Sequence, residues 1–119
     1  MKLTLKRERM LKRRNEFQRV YHKGKSYPGR HLILYVFKNY HGEKDRLGFA
    51  AGKKLGCAAV RNRVKRLLRE AARLEQGRIP QGVTLLLVGR AAAAKAKLPE
   101  VQADFVNLLR RAKMVNQEP

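Results

Sequence analysis

The 119-residue chain carries 29 lysines and arginines against 9 aspartates and glutamates, a formal net charge of +20. Its length suits one domain with a single modest core, and its 44% hydrophobic content excludes a disordered basic tail. One cysteine, Cys57, excludes an internal disulfide and a cysteine-based zinc site, and no apolar run approaches the roughly 20 residues that span a bilayer.

Residues 1–14 read as a basic arm with scattered Leu3, Leu5, Met10 and Leu11. No apolar stretch follows them, so they are not a secretory signal. Asn15 is the expected N-cap of a short helix, EFQRVYHK, that stops at Gly24, with Phe17, Val20 and Tyr21 on one face. SYPG then breaks the helix. HLILYVFK (residues 31–38) is the clearest strand, with Leu32, Leu34 and Val36 on one side and Ile33, Tyr35 and Phe37 on the other. The short NYHGEKD turn predicts a hairpin between it and RLGFAAG (46–52), where Gly48 and Gly52 leave room for a close approach to the backbone.

A helix over residues 59–74 follows. VTLLLVG (83–89) is a nearly continuous apolar run, as for a strand buried on both faces. RAAAAKAKL is ambiguous, and it offers no polar cap to the last helix, which Pro99 suits in its first turn. In that helix Val101, Phe105, Leu108, Leu109 and Ala112 form one apolar stripe. The order helix, strands, helix, strand, helix predicts a single α/β sandwich of a small sheet with helices, with residues 115–119 as a short tail.

The helix of residues 59–74 carries the strongest signal. Val60, Val64, Leu67, Leu68 and Ala71 make its core face; Asn62, Arg66, Arg69 and Arg73 form a second stripe, and Arg61 and Lys65 a third, with Arg63 nearby. Like charges four apart each cost roughly 0.2–0.5 kcal/mol, and Glu70 is the only acid placed to relieve them. Solvated helix faces normally mix signs. A face of one sign calls for an external polyanion, whose phosphates suit the planar arginine fork. The lack of varied base-reading side chains disfavours a helix-turn-helix reading of DNA and favours RNA recognised by shape and backbone.

A second candidate surface joins Phe17, Tyr21, Tyr35 and Phe37 to Arg14, Arg19, Lys23, Lys25 and Lys38. Aromatic faces in a basic cleft hold single-stranded nucleic acid. The tyrosines suit that use best, because a phenol tolerates a wet surface, and Lys53 and Lys54 would reach the same edge. The nine acids are dispersed, His22, His31 and His41 follow no metal-ligand motif, and GKKLG lacks the spacing of a P-loop. Binding is therefore supported and protein-borne catalysis is not.

RLGFAAGKKLGCAAVRNRVKRLLREAAR (46–73) resembles the signature of the bacterial ribonuclease P protein component, centred on Arg61-Asn62-Arg63 and followed by Lys65-Arg66 and Arg69-Glu70. The resemblance extends to RRNEFQRVYHKGKS upstream and GVTLLLVGR downstream. It implies a cytoplasmic subunit that binds a catalytic RNA, which removes the 5′ leader of precursor tRNA with Mg2+ bound mainly by the RNA. It implies no catalytic or metal-binding residue in the protein, no membrane and no required protein partner. The implied fold is an α/β (α+β) two-layer sandwich with a mixed sheet, ordered roughly α-β-β(-β)-α-β-α, with a left-handed βαβ crossover.

Carried over by position, Arg61, Asn62, Arg63, Lys65, Arg66 and Arg69 face the RNA, and Arg73 extends their stripe. Phe17, Tyr21, Ser26, Tyr35 and Lys54 line a leader-binding cleft, with Arg14 and Lys53 as basic neighbours. The competing reading is a small structural RNA-binding protein of ribosomal type; an autonomous nuclease and a DNA-binding domain are further alternatives.

Overall fold

The computed structural model describes residues 10–112. The elements run in the order α1 (Arg14–Lys23), β1 (Lys25–Pro28), β2 (Leu32–Lys38), β3 (Arg46–Ala51), α2 (Ala58–Leu74), β4 (Val83–Gly89) and α3 (Leu98–Arg111). Short 3-10 turns at Lys53–Leu55, Gln76–Arg78 and Ala91–Lys95 join them. Helix α1 ends before the SYP stretch, as expected, and SYP itself forms part of strand β1.

The strands form one mixed sheet in the order β1-β2-β4-β3, and only β3 and β4 are parallel. The expected hairpin between residues 31–38 and 46–52 is therefore wrong: β4 lies between them. The reason lies in β4 itself. Val83 to Leu87 are all buried, so the strand needs cover on both faces and neighbours on both edges, and it takes the centre. A short connection does not oblige two strands to pair when a more apolar one competes for the position. The chain then passes from β3 through α2 into the parallel strand β4.

The pleat divides the side chains into two cores. Leu32, Leu34 and Val36 of β2, Leu47 and Phe49 of β3, and Leu85 and Leu87 of β4 pack against Val64, Leu68 and Ala71 of α2 and Val101, Phe105 and Leu108 of α3. This sheet and these two helices are the two main layers. On the other face, Phe37 and Leu86 pack against Val20 of α1 and Leu11. All of α3's expected stripe from Val101 to Leu109 is buried, as are Val64, Leu68 and Ala71 of α2.

Local detail departs from expectation at three places. Helix α1 begins at Arg14, not after Asn15, because the Glu16 carboxylate accepts the Arg13 N–H at 3.0 Å and closes the first turn. Glu100 does the same for α3, accepting the Lys97 N–H at 2.9 Å. The cap that was missing N-terminal to α3 thus comes from inside it. The last residues of the presumed loose arm are docked: the Leu11 N–H donates to the Leu47 carbonyl at 2.7 Å, and the Leu11 side chain is buried. Residues 1–9 of the arm and the 115–119 tail lie outside the described residues.

Leu11 also answers the question posed by Gly48. A Cβ there would stand 2.5 Å from Leu11 Cδ1, so the group approaching that backbone is the chain's own.

Candidate nucleic-acid interface

The face of the sheet under α1 is only partly covered. Across it run three rows set by strand register. Phe37, Thr84 and Arg46 form the first row; Ser26, Tyr35, Leu86 and Gly48 the second; Pro28, Ile33, Val88 and Ala50 the third. Val20 and Leu11 cover the first row and the Leu86 end of the second. Ile33, Tyr35, Val88 and Ala50 remain half-buried, and Ser26 and Pro28 are exposed.

Helix α1 borders this open strip with Phe17, half-buried against it, and Tyr21, which is 39% exposed. The Tyr21 and Tyr35 rings meet edge to face with centroids 4.8 Å apart. Burial and the neighbouring Tyr35 push the Tyr21 hydroxyl above its ordinary pKa, so the phenol stays neutral. Arg14 shares this side of α1, at three and seven residues before Phe17 and Tyr21. Lys53 and Lys54, both exposed, form the turn that leaves β3 just past Ala50, at the end of the third row. Ser26, Tyr35, Tyr21 and Phe17 thus belong to one open surface, whereas the turn of Lys53 and Lys54 packs beside α2 and the Ala91–Lys95 turn at the end of the sheet.

Phe37 does not belong to it. Its ring is buried and sandwiched, with the Arg19 guanidinium 4.5 Å from its centroid and Tyr40 on its edge at 5.7 Å. Arg19 is held there by Glu43, which accepts from both terminal guanidinium nitrogens at 2.8 Å. Lys23, Lys25 and Lys38 border a different groove, floored by Tyr27 and Val36 beside the end of α3. The aromatic–basic set expected from sequence therefore splits into a wet part and a packed part.

Helix α2 lies on the opposite face of the sheet. Asn62, Arg66 and Arg69 are exposed, and Lys65 is half-buried. The Arg69 guanidinium lies 5.9 Å from the centroid of the Phe49 ring. Arg61 Nε is enclosed and makes no hydrogen bond among the described residues. Arg63 is engaged internally, its terminal nitrogens donating to the Ala94 and Ala96 carbonyls at 2.7 and 2.8 Å. Arg73 donates to both oxygens of Glu70 at 2.9 and 2.8 Å, which holds the Glu70 carboxyl below its usual range. Glu70 does relieve the helix, but only at its C-terminal end.

Two of the nine acids, Glu8 and Glu118, fall outside the described residues, leaving seven. Each of the seven holds structure. Burial pushes the Glu16 carboxyl up, but amide hydrogen bonds from Arg13 and Lys12 and the charges of Arg46 and Arg13 outweigh it and leave the pKa lowered. The Arg19 hydrogen bonds do the same for exposed Glu43. Asp45 accepts the Gly82 N–H at 2.8 Å, and Asp104 the His31 N–H at 2.8 Å. Glu75 pairs with Arg78 and Gln102, Glu70 with Arg73, and Glu100 caps α3. Among the described residues no three His, Cys, Asp or Glu side chains converge on a point.

Glu16, Glu43 and Asp45 gather at the end of the sheet where β3 and β4 begin. The opposite end, where these strands finish, carries Lys53, Lys54 and the start of α2. It also carries cations that sequence reasoning passed over: Arg90, Lys95 and Lys97, all exposed around the alanine-rich turn. That segment looked ambiguous because alanine signals no surface; its carbonyl contacts with Arg63 are long-range and leave no local pattern.

A small α+β domain with a cationic helix on one face and an open aromatic strip on the other defines a class, the RNA-binding sandwiches of basic ribonucleoproteins. Comparison with known proteins narrows it. The sequence profile of the Ribonuclease P family matches residues 5–113. The ribonuclease P protein component of Symbiobacterium thermophilum is 42% identical over 114 residues, spanning 96% of this chain and 99% of its own. That of Clostridium novyi is 38% identical over 94% of this chain and all of its own.

Solved structures agree. The RNase P protein of Staphylococcus aureus superposes with a TM-score of 0.78 at 30% identity over 91% of this chain and 98% of its own. The Thermotoga maritima protein gives 0.74 at 30% identity over 86% and 96%. The chain belongs to the ribonuclease P protein family, the protein subunit of the tRNA 5′-processing endoribonuclease.

Proposed function

We propose that this chain is held by a catalytic RNA along α2 and itself holds the 5′ leader of precursor tRNA across the open sheet face. The RNA hydrolyses the phosphodiester with magnesium ions that it binds itself, and the protein supplies charge and position. Arg61, Asn62, Lys65, Arg66 and Arg69 face the RNA. Phe17, Tyr21, Ser26 and Tyr35 take the leader, while Arg14, Lys53 and Lys54 meet its phosphates. The setting is the cytoplasm; among the described residues no helix is long and apolar enough to cross a membrane.

The observation that carries this reading is the uncovered strip itself. The aromatic rings of Phe17, Tyr21 and Tyr35 are left partly open, although a helix packs on the same face and covers the neighbouring row. An extended strand lying over Tyr35 and Tyr21 stacks bases on aromatic faces with little sequence preference. Its phosphates then run toward Lys53 and Lys54. The cations of α2 address a second, larger polyanion on the far face.

Reconstitution tests it. Protein mixed with a bacterial ribonuclease P RNA removes the leader at a lower magnesium concentration than the RNA alone requires, and protein alone cleaves nothing. Leader removal by RNA-free protein overturns the assignment of the chemistry to the RNA. An equal affinity for leader-bearing and leaderless tRNA overturns the cleft.

A further inference from the structure

We infer that Arg63, at the centre of the basic helix, is a positioning residue: it takes no phosphate itself but clamps the Ala91–Lys95 turn so that Lys95 stands on the RNA-facing surface. The inference rests on the reading of α2 as that surface.

The clamp is built from atoms on either side of one lysine. The two terminal nitrogens of Arg63 donate to Ala94 O at 2.7 Å and Ala96 O at 2.8 Å, the carbonyls that flank Lys95. A guanidinium is rigid and planar, so two bonds to two carbonyls fix the backbone between them. Two of its five N–H donors are committed to that pair, and they hold the guanidinium against the turn rather than leaving it free to rotate toward a phosphate.

The turn needs such a brace. It is a 3-10 segment of sequence AAAAK, with poorer hydrogen-bond geometry than an α-helix and no side-chain cap hydrogen bond at its start. At its ends Ala93 N–H donates to Arg90 O at 2.9 Å and Ala96 N–H to Ala93 O at 3.2 Å. Its apolar side is seated by Ala93 and Ala96, both buried. At its start Arg90 ties it to the sheet, the backbone N–H donating to His31 O at 2.9 Å and the guanidinium to Gly29 O at 3.1 Å. Arg63 is the tie at the other end. Lys97 is anchored separately, through its N–H to Glu100.

The placement gives the clamp a purpose beyond stability. The turn lies against both the Lys53–Leu55 turn and α2. Holding it therefore sets Lys95 beside Lys53, Lys54 and the first half of the basic helix, on one cationic surface from three chain segments. A mobile lysine loses more conformational freedom on meeting a phosphate than one on a fixed backbone.

The test compares Arg63→Lys, Arg63→Ala, Lys95→Ala and the double variant Arg63→Lys/Lys95→Ala. Affinity for a bacterial ribonuclease P RNA transcript is measured across a salt series. Lys95→Ala is expected to lower the log–log salt slope by roughly 0.7–0.9, one phosphate contact. Arg63→Lys keeps the charge but cannot bridge two carbonyls, and is expected to lose the same slope and affinity. The double variant is expected to lose no more than Lys95→Ala alone, because both changes remove one contact.

Wild-type slope and affinity in Arg63→Lys, or additive losses in the double variant, overturn the inference and make Arg63 a direct ligand. Hydrogen exchange on the free protein tests the clamp without RNA. The Ala93 and Ala96 amides are expected to exchange faster in Arg63→Lys while the amides of β4 do not change; unchanged exchange at those two overturns it. Arg63→Ala, if it folds, repeats the pattern. Wild-type protein that does not bind the RNA at all removes the reading of α2 and leaves the exchange result to decide the clamp.

Discussion

The two faces of the sheet are built differently. On the α2–α3 face the central rows are covered: Phe105, Leu108, Leu85 and Leu87 are buried to within 1%. On the α1 face a ten-residue helix covers one row and leaves the next two partly open. The covered face is where stability resides, and the polar backs of its helices are left to meet solvent or RNA. The open face holds apolar and aromatic surface that the fold does not use. We propose these uncovered rings as the surface for a partner, because a monomer gains nothing from leaving them wet.

This contrast can be broken first at the covered face. Phe105→Ala is expected to cost about 3–5 kcal/mol of folding stability through the cavity it leaves, read as a shift of the urea midpoint. Tyr35→Ala, on the open face, is expected to weaken binding of leader-bearing tRNA by roughly 1–3 kcal/mol and to spare leaderless tRNA. Equal losses on both substrates would return Tyr35 to the core. Arg66→Ala on the back of α2 is expected to leave the urea midpoint in place and to lower the salt slope of RNA binding by roughly 0.7–0.9.

The smallest effect is at the acid-rich end of the sheet. Glu16 has a lowered folded-state pKa, so its contribution is complete above the ordinary carboxylate range and is lost as pH falls through the folded value. Glu16→Gln is expected to remove that contribution at neutral pH and to flatten the acid limb of the stability profile, measured by thermal melts from neutral pH downward.

Much of this was legible along the chain. The stripe of Val64, Leu68 and Ala71 placed α2's core face, and the continuous run from Val83 to Leu87 marked a doubly buried strand. The same run should have placed β4 at the centre of the sheet; the short NYHGEKD turn suggested a hairpin instead. Among site residues, Tyr21 meets Tyr35, whose strand neighbour is Ser26, whereas Phe37 is buried beneath Arg19, which Glu43 holds over its ring. Nothing local distinguishes Tyr35 from Phe37, which share a side of one strand. Only the position of Val20 and Leu11 above one and not the other does so.

The sequence by itself determined the charge, the single-domain size, the helices and strands with strong periodicity, and the RNR-centred signature, because these are properties of near neighbours in the chain. The tertiary structure decided which strands pair, which rings stay wet, and which arginines are tied to distant backbone. Arg63 and Arg66 are indistinguishable as letters in one basic helix. Both are exposed, but Arg63 finds two carbonyls more than thirty residues away. That difference depends on contacts between segments distant in sequence, and only packing determines them.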